Sequence, residues 1–369
     1  MREITSLELG LVALELKPRI VGSFIKKFYD LGEGAFRMSF HRPDGNVDVY
    51  CKLLSTINET RFKEEAGEAT NFAMAVRKRI EDSKVLDVYQ HGSDRILILE
   101  LGARDGKFRL LIEMFGKGNL ILLSDAGKIE VCYKNVNYKD RTVRPGADYV
   151  LPKNESLDLS SLDNSNLRKV LESVAKADSK MIVEISKSIN LGPMYLDEII
   201  RSAGLNPKEA LKEGEIGRLA EAFEKFFEEL KNSQPTVYIK DGKPVDYSAM
   251  PLGKYSELEQ KKVATISEAL DEVCLESRHA VKTEGKNKEL DELEANISKQ
   301  KELVRQFSED SANSAEAAKR IFANMNEVNS VIFYLQQNRR ATLEEVIKEF
   351  PNLKIDKLNL KDKKVVLEI

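Results

Sequence analysis

Residues 72–101, FAMAVRKRIEDSKVLDVYQHGSDRILILEL, contain a change of pattern that places a helix before a strand. In the first part, Phe72, Met74, Ala75, Val76 and Ile80 supply an apolar face, and a helix is predicted from about residue 63 to residue 83. After Gly92, residues 95–101 are a run of branched apolar residues that is typical of a strand. Helix and sheet therefore alternate in one domain, which predicts an α+β fold.

Further strands are predicted on both sides of this segment. Before it, residues 20–29, 35–41 and 47–54 are short and rich in apolar and aromatic residues, with a Pro-Asp-Gly-Asn turn at residues 43–46. After it, residues 108–115, 119–124 and 129–134 are separated by turns that contain glycine. An amphipathic helix over residues 6–16 precedes them all. We expect this β-rich domain to cover residues 1–153.

The remainder of the chain is predicted to be mainly helical. A linker rich in Asn, Asp and Ser at residues 154–166 leads to short helices at residues 167–176, 181–189, 195–203 and 216–230. The turn Leu191-Gly192-Pro193 resembles that of a helix-hairpin-helix unit, and this region is expected to cover residues 167–250. A coiled-coil arm is predicted at residues 256–340, and a small helix and terminal hairpin at residues 341–369.

The coiled-coil prediction rests on a seam of residues at steps of three and four from Leu290 to Leu335. Small residues in its middle predict a break or bend near residues 308–314, and two helices packed as a hairpin are an alternative. Self-association through this arm is a further expectation.

Composition excludes several classes of function. A length of 369 residues predicts two or three domains, and a net charge of −3 means that any nucleic-acid contact has to be a local patch. The three cysteines and three histidines are scattered, so a disulfide framework, a zinc site and a Ser-His-Asp triad are not expected. We expect no metal, no cofactor and no catalytic residue. No segment approaches the roughly 20 apolar residues of a membrane span, and the start lacks a signal-peptide pattern, which predicts a cytoplasmic protein.

Asp94 and Arg95 lie where a loop enters a predicted strand. An arginine offers a planar fork to a phosphate or a base edge, and a neighbouring aspartate can orient it or accept from an exocyclic amine or a ribose hydroxyl. The pair therefore suits RNA recognition. The alternative is an ordinary surface ion pair or a strand-end turn.

Other basic residues are weaker candidates for RNA contact. Arg77, Lys78 and Arg79 end the predicted helix, where cations also suit the helix dipole. The hairpin at Gly192 could present backbone N–H groups to phosphates or be a purely structural turn. The best basic and aromatic patch, suited to backbone neutralisation and base stacking, comprises Tyr133, Lys134, Tyr138, Lys139, Arg141 and Arg144.

Several of these segments resemble, in order, the motifs of the NFACT family, which includes the NEMF, RqcH and fibronectin-binding protein A-like proteins. The resemblance covers nearly the whole chain and is most specific in its first 205 residues. Its motifs are Phe72-Ala73-Met74, Arg77-Lys78, Gln90, Asp94-Arg95, Glu113 before Gly118-Asn119-Leu120-Ile121-Leu122, Arg144-Pro145-Gly146, Leu191-Gly192-Pro193 and Ala203-Gly204-Leu205.

The resemblance implies an N-terminal β-sandwich similar to that of the formamidopyrimidine-DNA glycosylases, then a helix-hairpin-helix region and a coiled coil. It implies a role in ribosome-associated quality control, with tRNA, the large ribosomal subunit and a stalled nascent chain as partners and C-terminal tailing as the outcome. Asp94 and Arg95 match the tRNA contacts of the family. Glu8 stands where relatives usually carry an aspartate that joins this site. The Gly-Arg-Asp and Gln-Gln-Asn-Glu motif of full-length members is not found, so the sequence is expected to be an N-terminal half.

Two alternatives come from other classes of protein. A glycosylase-like enzyme would follow from the implied fold, but Met1-Arg2-Glu3 offers no N-terminal proline amine as nucleophile. A fibronectin-binding adhesin is implied only by an older family name, without a signal peptide or wall anchor in the sequence.

Overall fold

The computed structural model describes residues 1–64, 66–152, 156–157, 163–177, 179–359 and 364–368, with the backbone alone for residues 277–292 and 368. Two compact units are present, Met1–Val281 and Lys282–Ile369.

A nine-stranded antiparallel sheet is the main element of the first unit. Its strands follow the order β4-β3-β2-β1-β5-β6-β7-β8-β9, so two meanders meet where β1 pairs with β5. The elements are α1 (Ser6–Ile20), β1 (Phe24–Gly32), β2 (Ala35–Arg42), β3 (Gly45–Lys52), β4 (Thr56–Thr60), α2 (Asn71–Ile80), β5 (Lys84–Gln90), β6 (Ile96–Ala103), β7 (Gly106–Glu113), β8 (Asn119–Ser124) and β9 (Ile129–Cys132), followed by the short pair β10 (Val136–Asn137) and β11 (Thr142–Val143). The predicted α+β class is confirmed.

The two meanders are related by an internal repeat with an offset of 60 residues. Each begins with a helix that ends three residues before a serine at the equivalent position, Ser23 in one half and Ser83 in the other. Four backbone hydrogen bonds join the halves as two reciprocal pairs: Gly22 N to Val85 O (2.9 Å) with Asp82 N to Ile25 O (2.8 Å), and Val85 N to Ser23 O with Ile25 N to Ser83 O (both 2.9 Å). The β1–β2 turn and the β5–β6 loop therefore occupy equivalent places.

Alternation of side chains along the strands gives the sheet two buried faces. Leu97 and Leu99 of β6 join the main core, to which α1 and α2 contribute. Ile96 and Ile98 point the other way and form a second cluster, with β7, β8, β9 and β11. Both faces of β6 are therefore enclosed, which fixes the start of this strand firmly.

Short helices and a small sheet complete the first unit. They are α3 (Asn164–Ala175), α4 (Met181–Ser188), α5 (Pro193–Ser202), α6 (Ile216–Asn232), β12 (Thr236–Lys240), β13 (Lys243–Ser248) and β14 (Glu259–Lys262). Strand β12 lies between the other two. Buried residues of α3 to α6 belong to the same core cluster as α1, so this helical region packs directly against the N-terminal domain.

The predicted break near residues 308–314 is wrong, because α7 (Ile266–Ala323) is continuous through it, and a bend within this helix stays a prediction. Small side chains weaken an apolar seam, but they do not interrupt the backbone hydrogen bonds of a helix. The interruption lies instead at Asn324, before α8 (Met325–Gln337). The hairpin alternative fails for the same reason.

The predicted coiled coil stays a prediction. Along α7 the seam residues are exposed, with 67% for Val304 and 68% for Phe307, so no described helix covers them. The side chain of Leu290 lies outside the described residues. Beyond α8, α9 (Leu343–Glu349) and the hairpin β15 (Lys354–Asn359) and β16 (Lys364–Glu368) pack around Val331, Val346 and Ile355.

Other predicted boundaries also need correction. Helix α2 begins at Asn71, not near residue 63, because the Thr70 side chain accepts from Ala73 N and caps it there. Met74 lies on its exposed face. Strands β4 and β5 were not predicted. The predicted terminal hairpin is confirmed, although its turn at Lys361-Asp362 lies outside the described residues. None of the described helices is long and apolar enough to cross a bilayer.

Candidate nucleic-acid interface

The loop of residues 91–95 carries the predicted Asp94-Arg95 pair and is held by elements from distant parts of the chain. Ser93 O accepts from Ser6 Oγ at 2.5 Å and from Asn190 Nδ2 at 2.8 Å. The first donor lies at the start of α1 and the second in the α4–α5 turn. Because both donors come from separate helices, the loop has a fixed position relative to each of them.

Gln90 closes the loop from the end of β5. Its Nε2 donates to Asp94 O at 2.8 Å and to the backbone and side-chain oxygens of Ser6, both at 3.0 Å. Gly10 makes this arrangement possible, since a Cβ at that position would lie 2.5 Å from Gln90 Oε1. Any larger residue there would push the amide away and release the Asp94 carbonyl.

Asp94 and Arg95 are both half-buried. Arg95 Nη1 donates to Glu3 Oε2 at 2.6 Å and to Ile4 O at 3.3 Å. The Arg95 side chain is 24% exposed and that of Glu3 is 56% exposed. Nε and Nη2 of Arg95 have no hydrogen-bond partner among the described residues, so two donors of the fork remain for a ligand.

A buried network anchors the N-terminal residues that hold Arg95. Arg2 donates to both carboxylate oxygens of Glu8 (2.5 and 2.8 Å), to Tyr247 O (2.8 Å) and to Asp246 Oδ1 (2.9 Å). Its guanidinium also lies 4.2 Å from the centre of the Tyr247 ring. Tyr195 donates to Glu8 Oε1 at 2.8 Å. The network therefore connects residues 1–3 with α1, α5 and β13.

The electrostatics of this network favour a charged pair with neutral tyrosines. Burial alone would lower the pKa of Arg2, but the hydrogen bond to Glu8 and its charge raise it well above the ordinary value. Burial, followed by the negative charge of Glu8, raises the pKa of both Tyr195 and Tyr247. The two phenols therefore remain hydrogen-bond donors, and Glu8 is fully compensated.

Glu8 does not reach the surface. Its side chain is 0% exposed, and it also accepts from Thr5 N at 2.8 Å in a capping box at the start of α1. A carboxylate so enclosed cannot accept from a ribose or a base. The predicted direct contact of Glu8 with tRNA is therefore incompatible with its position, and its effect on the site is to anchor Arg2.

The predicted helix-hairpin-helix turn also packs against the N-terminal segment. Gly192 has φ = +104° and precedes α5, which starts at Pro193. A Cβ on Gly192 would lie 2.7 Å from Thr5 Cγ2. Only glycine satisfies both the backbone conformation and the close approach, so an inward structural role accounts for this residue.

Arg141 of the predicted basic patch is buried. Its Nη1 donates to Glu113 Oε1 at 2.6 Å, and the two side chains are 3% and 1% exposed. Tyr149 donates to the same oxygen at 2.8 Å. Burial would lower the pKa of Arg141, but the hydrogen bond and charge of Glu113 raise it. Arg141 is thus unavailable to RNA phosphates, contrary to prediction. It supports Glu113 of β7, whose backbone lies opposite Ile96 of β6, directly after the loop.

Other members of the patch are more accessible. Lys139 and Arg144 are exposed and form no ion pair with the described residues, and Tyr138 is half-buried. Lys134 is half-buried, and its Nζ donates to Lys117 O at 2.6 Å. Tyr133 is also half-buried, so the structure leaves two lysines, one arginine and two aromatic rings of the predicted set at or near the surface.

The cations of α2 are divided in the same way. Lys78 is exposed, while Arg77 is half-buried and its Nε donates to Phe28 O at 2.7 Å. Arg79 pairs with Glu130 at 3.1 Å. Lys78 is therefore the cation of this group that is most accessible to a phosphate.

The arrangement suits binding of an anion or a base edge by a guanidinium on a rigid loop.

The sequence did not identify Arg2 and Glu3 as parts of this site. Their only signal was a charged pair directly before the capping box, which is too short to distinguish from a polar terminus. Among the described residues, no group of three His, Cys, Asp or Glu side chains could hold a metal ion.

The chain is similar to known proteins in sequence and in fold. Residues 6–356 match the profile of the NFACT N-terminal and middle domains. The archaeal Rqc2 homolog aRqcH of Methanocaldococcus jannaschii is 27% identical over 94% of this chain and 54% of its own length. Ribosome quality control complex subunit 2 of Schizosaccharomyces pombe is 27% identical over 50% of this chain and 18% of its own length. The chain therefore spans about half the length of the archaeal relative.

The fold has solved counterparts. The fibrinogen binding protein from Staphylococcus aureus covers 72% of this chain with a TM-score of 0.60 and 18% identity, and 97% of that protein is matched. The likeness at this identity concerns the fold alone. Because the profile match covers nearly the whole sequence and includes the loop and helices described above, the chain belongs to the NFACT family.

Proposed function

We propose that this chain is an RNA-binding component of ribosome-associated quality control. It contacts tRNA through Asp94 and Arg95 and associates with a large ribosomal subunit that carries a stalled nascent chain, supporting C-terminal tailing. The relative named ribosome quality control complex subunit 2 and the archaeal relative named as an Rqc2 homolog support this assignment. The chain acts by binding and breaks no bond itself.

The observation that carries the proposal is the partly engaged guanidinium of Arg95. The backbone carbonyl of Arg95 accepts from Met114 N at 2.7 Å, so the backbone at this residue is fixed. The side-chain atoms Nε and Nη2 of Arg95 have no hydrogen-bond partner within the described residues. A fork held in this way loses little conformational entropy when it binds a phosphate or a base edge. The neighbouring Asp94 adds a carboxylate that can accept from an amine or a ribose hydroxyl.

Exposed cations elsewhere provide sequence-independent attraction. Lys78, Lys139 and Arg144 are exposed, and Lys134 and Tyr138 are half-buried. Contacts between such side chains and phosphates orient an RNA without reading its sequence. Because the whole chain has a net charge of −3, binding should depend on these local groups and weaken steeply with salt.

The proposal is tested with the double variant Asp94→Ala, Arg95→Ala in a tRNA crosslinking and filter-binding assay. Arg104→Ala is the matched control, because Arg104 is exposed in the turn after β6. Loss of charged hydrogen bonds worth about 1.5–3 kcal/mol predicts roughly a tenfold to hundredfold weaker tRNA binding, with an unchanged melting temperature. Equal binding by the double variant and the control would reject the assignment.

Ribosome association is tested separately by co-sedimentation with large subunits over a salt series. We expect the retained fraction to fall as salt rises, and the RNA that remains bound to be enriched in tRNA. Retention that is independent of salt would contradict an interface made of exposed cations.

The absence of bond cleavage is tested with abasic-site DNA and borohydride. A lyase forms an imine with its substrate, which the reagent reduces to a stable adduct. We expect no adduct. A covalent complex that requires the N-terminal amine would favour the glycosylase-like alternative.

A further inference from the structure

Arg37 in β2 is a buried arginine that has no carboxylate partner among the described residues. The residue is 7% exposed, and its Nε is enclosed without a hydrogen-bond partner. Within the described part of the chain, its guanidinium forms no ion pair and lies over the ring of Tyr29, with 4.4 Å between guanidinium carbon and ring centre. Enclosing a charge in this way is costly unless an opposite charge accompanies it.

Two other arginines, one half-buried and one buried, show how the same chain compensates such a charge. Arg2 has Glu8 at 2.5 Å, and Arg141 has Glu113 at 2.6 Å. In both pairs the glutamate is almost fully buried. Arg37 departs from this pattern, so its environment suits an anion that none of the described residues supplies.

A second guanidinium lies on the same ring. The guanidinium carbon of Arg77 is 5.5 Å from the centre of the Tyr29 ring, and its Nε is held by Phe28 O. Because both distances are measured to one ring, the guanidinium carbons of Arg37 and Arg77 lie within about 10 Å of each other. Two cations at this separation raise the local positive potential.

The acidic residue beside this ring is directed toward neutral groups. Asp30 follows Tyr29 in β1, and one carboxylate oxygen accepts from Gly32 N at 3.0 Å and the other from Thr70 Oγ1 at 2.8 Å. Among the described side chains, Asp30 forms no ion pair with either arginine. The two guanidinium groups on the Tyr29 ring are therefore not directly paired with this carboxylate.

We propose that Tyr29, Arg37 and Arg77 form a binding site for a phosphoryl group. Guanidinium groups bind phosphate oxygens through paired N–H donors, and the aromatic ring holds both forks in place. The site lies on the half of the sheet opposite to Asp94 and Arg95 and does not depend on them. The phosphoryl group belongs either to an RNA backbone or to free phosphate, which share this chemistry.

Thermal unfolding and phosphorus NMR of the full chain test the site, with inorganic phosphate as the probe and chloride at equal ionic strength as the reference. Phosphate should raise the melting temperature of the wild type and of the exposed control Arg104→Met, and broaden its own resonance. In Arg37→Met and Arg77→Met, the apparent affinity should fall roughly tenfold to hundredfold. Without phosphate, Arg37→Met should be at least as stable as the wild type, because an uncompensated buried charge is removed.

Equal protection of all four proteins, or no protection of the wild type, overturns the proposal. If Arg37→Met does not fold, Arg77→Met still decides the question, because that side chain is only half-buried. Filter binding shows whether the phosphoryl group belongs to RNA or is free phosphate. If Arg37→Met binds RNA more weakly, and the slope of log affinity against log salt concentration falls by about one, the group is an RNA phosphate. If RNA binding is unchanged, the ligand is free phosphate. The Asp94, Arg95 double variant should retain most of the phosphate protection, which separates this site from the proposed tRNA contact.

Discussion

Replacing Glu8 by alanine removes the carboxylate at the centre of the N-terminal network. Arg2 then loses two hydrogen bonds, and the Tyr195 hydroxyl loses its acceptor. Thr5 N also loses the acceptor that closes the capping box. Because Glu8 is fully enclosed, its partners lose a charged acceptor that bulk solvent does not reach. We therefore expect a large loss of stability from this single change.

The expected magnitude follows from the burial of the two partners. Removing one partner of a buried ion pair costs about 3–5 kcal/mol. Arg2 is 24% exposed and keeps Asp246 at 2.9 Å, so its charge stays partly compensated and the cost should be near the lower limit, about 3 kcal/mol. Glu3→Ala removes an exposed partner of Arg95 and should cost less than about 1 kcal/mol.

Urea denaturation followed by tyrosine fluorescence measures this difference. All but Tyr334 of the 11 tyrosines lie in the first unit, and the chain has no tryptophan. Filter binding of tRNA to the folded variants is the second measurement. If Glu8→Ala is as stable as Glu3→Ala but no longer binds tRNA, Glu8 contacts the RNA itself and the anchoring role is wrong.

Three further predictions concern the same region. Gly10→Ala should displace Gln90, since its Cβ would lie 2.5 Å from the amide oxygen, and should weaken tRNA binding in filter assays while the urea midpoint changes little. Gly192→Ala combines φ = +104° with a contact of 2.7 Å to Thr5, so we expect a loss of at least about 1–3 kcal/mol on urea denaturation. The two tyrosines that face Glu8 have raised pKa values; in the unfolded chain they ionise near pH 10. Their contribution to stability is complete below that pH and is lost above it, and ultraviolet titration should show two phenols that ionise only on alkaline unfolding.

Sequence patterns predicted the strands and helices where one face alone is buried or where turn residues separate them. They failed at β4, whose residues Thr56, Asn58 and Thr60 are buried although polar. Two of these side chains bond with Asp271 of α7, so their burial depends on a partner more than 200 positions away. Strand β5 gave no regular alternation, because Val85 and Val88 are three residues apart and join the same core only through the bulge between Val85 and Asp87.

The candidate site was predictable only where its residues are neighbours in sequence. Asp94 and Arg95 form a local motif, whereas Arg2 and Asp246 meet across 244 positions. Arg141 shows the opposite error: a basic residue among aromatic residues also fits a buried ion pair, and only the position of Glu113 decides between the two. Composition cannot distinguish a cation that faces solvent from one that faces a buried carboxylate.

The two equivalent ends of the repeat differ in how the arginine charge is balanced. At the β5–β6 loop, Glu3 lies 2.6 Å from Arg95 but is 56% exposed, and such surface pairs are worth only about 0–1 kcal/mol. A phosphate can therefore replace Glu3 at little cost, and the carboxylate keeps the site compensated when RNA is absent. At the β1–β2 end, Arg37 is enclosed and has no such partner among the described residues. A phosphate bound at Arg37 neutralises an unpaired positive charge, whereas a phosphate bound at Arg95 only replaces the carboxylate of Glu3. Phosphate should therefore stabilise the fold more strongly by binding at Arg37 than by binding at Arg95.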